Sequence, residues 1–178
     1  DFPVFPLSFR EYLGFQGISI GDALQLARRK TEVNGWMRRY LKEGAFPEVV
    51  LSGAKQELLL QYYEDVITKD LLRRYRIRKP HLLRTLAKFY LSNSASPVTF
   101  NAVEKHLGIS ADTAEKFSGY LEEAYLVFFL RRFSPRVREQ EKSPRKVYAV
   151  DTGLAGAVGF RLGEDLGRLA ENLVFNEL

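Results

Sequence analysis

Between residues 82 and 150 the spacing of apolar positions changes period once, and the rest of the chain is arranged around that change. Leu82, Leu86 and Phe89 fall on one helical face, as do Phe100, Val103 and Leu107, and then Ala114, Phe117, Leu121 and Ala124. Gly108 lets the second of these helices stop in a left-handed conformation, and Ser110 is placed to cap the third. The period then drops to that of strands. VFFLRRF (127–133) and KVYAV (146–150) are β-branched and aromatic, and Pro135 and Pro144 interrupt the polar loop between them. Helix, helix, helix, strand, basic loop, strand is the order of a winged helix. That order specifies a fold and leaves the function open.

Elsewhere the pattern is mostly helical. The segment DFPVFPLSFREYL (1–13) begins extended on its prolines and enters a helix near Ser8. Asp22 caps a short helix through Arg29, a further helix covers residues 32–43 up to Gly44, and Ala45-Phe46-Pro47 turns the chain. From about Ala54 to Tyr75 the spacing predicts one long helix with Leu59, Tyr62, Tyr63, Val66 and Ile67 inward, and Pro80 closes that segment. Asn93 to Pro97 reads as a polar turn. Asp151-Thr152-Gly153 reads as another, followed by a glycine-rich passage (Gly153, Gly156, Gly159, Gly163) and a final helix from about Glu164. The expected fold class is mainly α. A helical region (1–79) leads into a winged helix-turn-helix (80–150), and residues 151–178 begin an α/β domain.

Composition narrows the chemistry. With 178 residues and 46% hydrophobic content there is enough apolar surface for a core, and no apolar run is long enough to span a membrane. The absence of cysteine removes disulfides and thiolate sites, and a cytoplasmic protein without membrane contact is expected. The net charge of +5 is unevenly spread. Residues 61–93 hold eight basic against three acidic side chains and residues 127–146 hold seven against two, whereas the intervening 94–126 hold two against five. Two basic blocks therefore flank an acidic pair of helices.

In the loop block, Arg131, Arg132, Arg136, Arg138, Lys142, Arg145 and Lys146 are candidates to track a phosphate backbone. In the first block, Arg73, Arg74 and Arg76, with Arg78 and Lys79, exceed what one helix end needs to complement its dipole. Opposing them, the third helix presents Asp112, Glu115, Glu122 and Glu123 against Lys116, which disfavours sequence reading in a major groove and suits a protein partner equally well. Asp65 and Asp70 are five apart and off one face, so ion pairs with nearby arginines are expected rather than acid–base work. His81 and His106 lack a second ligand at metal spacing, and no nucleophile–histidine–acid set is present.

Taken together, FPLSFREYL (5–13), YLKEGAFPEVV (40–50), YYEDVITKDLLRRY (62–75), LGIS (107–110) with YLEEAYLV (120–127), KVYAVDTGLA (146–155) and GRLAENLVFNEL (167–178) resemble one family. It comprises bacterial and archaeal P-loop ATPases of the AAA type that continue into a C-terminal region of unknown function. The resemblance implies an ATPase domain before the phenylalanine-proline segment, then a helical lid-like region, a winged helix and a domain with the PD-(D/E)XK nuclease fold. Ala45 departs from the glycine usual there. No phosphate-binding loop is encoded: Lys30-Thr31 and Lys142-Ser143 follow Arg29 and Glu141 where glycine is required. Nor is the acid and acid-x-lysine pair of a nuclease centre; Glu171 and Glu177 match only its first-helix position. Asp1 is not an initiator methionine, and the chain is expected to be a non-catalytic C-terminal portion of a longer protein. ATP and Mg²⁺ would belong to the missing domain, with no cofactor here. The winged helix would hold nucleic acid or a partner, the protein's own ATPase domain included. The alternative is a protein–protein or intramolecular regulatory module without nucleic-acid binding.

Overall fold

The computed structural model describes residues 4–19, 21, 23–136, 139–140, 143–159 and 165–178. Ser8 opens α1 (Phe9–Phe15) with a reciprocal capping box: its side chain takes the Glu11 amide, and the Glu11 carboxylate takes the Ser8 amide at 2.8 Å. Then follow α2 (Ala23–Arg28) and α3 (Lys30–Glu43). The cap expected from Asp22 and the helix start expected at Glu164 lie outside the described residues. The turn expected at Ala45-Phe46-Pro47 leads directly into a short helix, α4 (Pro47–Leu51), with the proline at its first position.

The long helix expected from Ala54 to Tyr75 is continuous but changes winding. It consists of α5 (Lys55–Asp65), a π-helical stretch (Val66–Leu72) and α6 (Arg73–Tyr75), ended by Arg76 in the left-handed region at φ 47°. Leu59, Tyr63, Ile67 and Leu71 are its buried residues and recur every four positions. In a regular α-helix that repeat drifts around the axis, and the wider π turns reduce the drift so that Ile67 and Leu71 stay inward.

Next come α7 (Pro80–Ser92), β1 (Ser96–Val98), α8 (Phe100–Leu107), α9 (Ala111–Glu123), β2 (Val127–Arg131) and β3 (Arg145–Ala149). Gly108 does end α8 at φ 67°, and the Ser110 side chain accepts the Thr113 amide at the start of α9. Two expectations need correction. The inward face of α7 is centred on Leu83, Leu86, Ala87 and Tyr90, one position on from the predicted stripe, with Leu82 and Phe89 at its margins. The predicted polar turn at 93–97 contains β1, which pairs antiparallel with β3 in the order β1-β3-β2. A strand of three residues that includes Pro97 carries no periodic signal, and proline is tolerated there because β1 is an edge.

The sheet is covered on both faces. Val127, Phe129 and Val147 point to the α7–α9 side, where Tyr90 meets Phe129 edge-on at 5.1 Å and donates or accepts a 2.7 Å bond with Ser118. Tyr148 and Phe128 point the other way, onto α11 (Leu166–Glu177), whose Phe175 stacks on Tyr148 at 4.1 Å. Between β3 and α11 the expected turn at Asp151-Thr152-Gly153 is in fact the start of a buried helix, α10 (Thr152–Val158), capped by Asp151. One core joins Leu59, Tyr63 and Ile67 to α7–α9, the sheet and α10, and a smaller one gathers α1, α3 and α11 around Tyr12, Tyr40 and Leu173. The architecture is thus mainly helical with one small antiparallel sheet. Among the described residues no helix is long and apolar enough to cross a membrane.

Candidate nucleic-acid interface

The β2–β3 hairpin has a locked base and an open tip. At the base, β1 has run out where Ala149 needs a partner, and side chains take its place. Asn172 accepts the Ala149 amide and donates to the Ala149 carbonyl, both at 2.8 Å, while Ser94 also reaches the amide and Asn176 donates to the Val150 carbonyl at 2.9 Å. Asp151 then anchors the following turn. Its two oxygens accept the amides of Ala45 and Leu154 at 2.7 Å, so the α3–α4 connection is tied to the end of the sheet. Burial pushes this carboxyl up from its ordinary pKa, opposed by the amides of Leu154, Ala45 and Gly153. The fit is close: a Cβ on Gly44, at φ 84°, would lie 2.3 Å from Asp151 Oδ1, and one on Gly153 would lie 2.4 Å from the Gly44 amide.

At the tip, the outer end of the strands, Arg131 (the last residue of β2, paired across from Arg145) and Arg132 are exposed and have no carboxylate partner among the described residues. Phe133 beside them is 86% exposed. Arg136 is exposed too, but pairs with Glu139 at 2.9 Å, and Glu139 also takes the Ser134 hydroxyl at 3.0 Å. Arg138 and Lys142 lie outside the described residues. The remaining two candidates of this block sit on β3, with Arg145 directly across from Arg131. Arg145 lies over the Phe100 ring at 4.8 Å with its guanidinium 3.7 Å from Glu115, and Lys146 donates to Glu171 at 2.6 Å on the opposite face of the sheet. Glu171 is held below the usual carboxylate range chiefly by that lysine and by the Tyr148 hydroxyl. Glu177 accepts the Phe9 amide at 2.8 Å, so both helical glutamates secure neighbouring elements.

The outward stripe of α9 is less acidic than its sequence suggested. Its inward residues Ala114, Phe117, Ser118 and Leu121 leave Asp112, Lys116, Gly119 and Glu123 pointing directly away from the core. Glu115 and Glu122 sit on the flank nearest the hairpin, where Glu115 meets Arg145 and Glu122 accepts the Phe129 amide at 3.1 Å. On the other flank Tyr120 stacks on Tyr75 at 3.7 Å, and the Tyr75 hydroxyl donates to Glu123. That stack brings Arg73, Arg74 and Arg76 alongside α9, with Arg74 5.6 Å from the Tyr75 ring. The two basic blocks, which flank the acidic helices in sequence, thus lie on opposite flanks of α9 in space. The signal for that placement was the pair of tyrosines.

The carboxylates expected to pair with arginines behave differently. Asp65 pairs with Lys69 at 2.9 Å one turn away, and Asp70 is exposed beside it. His81 and His106 are both exposed, and among the described residues no three histidine, aspartate or glutamate side chains converge as a metal site.

Comparison with known proteins gives relatives but no named chemistry. The chain is 28% identical over 98% of its length to "Uncharacterized protein MJ1544" of Methanocaldococcus jannaschii, and 24% identical over its whole length to an "Uncharacterized protein" of Haemophilus influenzae. It spans 40% and 44% of the length of those two proteins. No solved structure matches it. Residues 34–166 match the family described as "Domain of unknown function (DUF8612)", a stretch that runs from α3 through the hairpin and α10, and the chain belongs to that family.

Proposed function

We propose that this chain is the non-catalytic C-terminal portion of an AAA-type ATPase, in which residues 80–150 act as a winged helix whose hairpin grips nucleic acid by its phosphates. The reading rests on one observation: Arg131 and Arg132 stand exposed on the hairpin without carboxylate partners among the described residues, while the nearby acids Glu115 and Glu122, themselves exposed on the flank of α9, contact Arg145 and the Phe129 amide. Guanidinium groups left unpaired on an exposed hairpin are suited to phosphate oxygens. The order helix, strand, helix, helix, strand, strand supports the winged-helix assignment, and the motif resemblance supports the ATPase parent. Residues 151–178 fit the first elements of a nuclease-like domain, and ATP and Mg²⁺ would be bound by the domain ahead of Phe5. Fluorescence anisotropy of this chain with a labelled duplex at low salt tests the grip. Arg131→Glu with Arg132→Glu should weaken binding about tenfold or more, since each lost phosphate contact also returns condensed counterions. Unchanged binding removes the hairpin from the mechanism.

A second reading, a protein-interaction module, is favoured by a groove of about 630 Å³ bordered by Phe5, Tyr62, Asp65, Lys69 and Tyr125. Phe5 and Tyr125 meet edge-on at 5.9 Å and are both about half exposed. Co-purification with a separately expressed ATPase domain, lost on Tyr125→Ala and indifferent to added DNA, would favour it over the first.

A further inference from the structure

We infer that the hairpin tip recognises unpaired bases, with Phe133 as the side chain on which a base stacks. This deepens the nucleic-acid reading and rests on it. Nearly all of the chain's described aromatic rings pack on one another or in the cores, whereas Phe133 is 86% exposed and makes no ring contact among the described residues. It follows directly on Arg131 and Arg132, and Leu130 on the same hairpin is half exposed. Just beyond it, Ser134 is hydrogen-bonded: the Arg136 amide donates to its hydroxyl at 3.1 Å, and Gln140 Nε2 donates to its carbonyl at 2.9 Å.

A large exposed ring that follows two unpaired arginines in the chain has two uses for a polyanion. The cations neutralise phosphates, and the ring offers a face to any base that has left its stack. In a plain duplex every base face is already covered, so the ring adds little there. In a single strand, or at a junction, the same ring adds a stacking partner and distinguishes the two forms. A protein partner would need an apolar pocket lined with acids to accept this tip. A single strand brings the base and the negative charge in one polymer, which fits the arginines as well as the ring.

The test compares a fluorescent deoxythymidine oligomer with a blunt duplex of equal length. Phe133→Ala should lower affinity for the oligomer about tenfold, ~1.4 kcal/mol, and leave duplex affinity within about twofold, with Phe133→Trp restoring oligomer binding. Because the ring is exposed, the melting temperature should not move, which separates this loss from unfolding. Equal losses on both probes, or none on either, overturn the inference. If Arg131→Glu with Arg132→Glu abolishes binding while Phe133→Ala changes neither probe, the grip survives and the stacking role falls. If the wild-type chain binds neither probe, both fall.

Discussion

The base and the tip of the β2–β3 hairpin are built on opposite rules. At the base, buried polar groups of the chain are paired by side chains: Asn172 completes the ladder of Ala149, Asn176 takes the Val150 carbonyl, and Asp151 gathers the amides of Ala45 and Leu154. At the tip, Arg131, Arg132 and Phe133 face water, and the two arginines have no carboxylate partner among the described residues. The difference teaches where each property of the molecule resides. Satisfied buried groups hold the sheet to α3 and α11, because an orphaned buried donor costs about 1–3 kcal/mol. Unsatisfied exposed groups contribute little to folding and are available to a ligand. Stability and binding should therefore separate cleanly between residues on the same hairpin.

The largest expected effect is at the base. Asp151→Ala strands the amides of Ala45 and Leu154, and should lower unfolding free energy by about 3 kcal/mol in urea titrations while leaving nucleic-acid binding of the folded fraction intact. Asn172→Ala removes the paired bond to Ala149 and should cost about 2 kcal/mol by the same measurement. If either variant instead weakened binding at full stability, the division between base and tip would be wrong. At the tip the pattern inverts. Arg131→Glu with Arg132→Glu should move stability by no more than about 0.5 kcal/mol while cutting affinity about tenfold.

The smallest effect concerns pH. Glu171 has a folded pKa below its unfolded value, so its contribution is full above the ordinary carboxylate range and is lost as pH falls through the folded value. With its side chain 40% exposed and Lys146 at 43%, solvent screens the pair. Glu171→Gln should lower the stability–pH curve slightly near neutrality and make its acid limb shallower, so that the two curves converge at low pH.

Much of this contrast was legible beforehand, and the missing parts have physical causes. Gly108 and Ser110 marked the α8–α9 turn because left-handed caps and side-chain caps depend on single residues. The tip arginines were visible as a charge block. The base was not, because Asn172 and Asp151 act across 23 and 106 positions on amides of Ala149 and Ala45, which no local pattern encodes. Helix α10 was hidden by its glycines, which read as turns. One of them, Gly153, is needed because a side chain there would collide with the Gly44 backbone. The acids of α9 were counted as one outward face, although the hairpin's fold claims Glu115 and Glu122. Lys146, read as the first residue of the strand KVYAV, was grouped with the phosphate-tracking residues, although strand alternation turns it to α11.

The most direct measurement is the salt dependence of duplex binding by the wild-type chain and by Arg131→Gln with Arg132→Gln. If the two guanidinium groups each neutralise a phosphate, the slope of log affinity against log salt becomes shallower by about 1.8 in the variant. Parallel slopes would mean that these arginines do not touch the phosphate backbone, and the account of the hairpin as the gripping element would be contradicted.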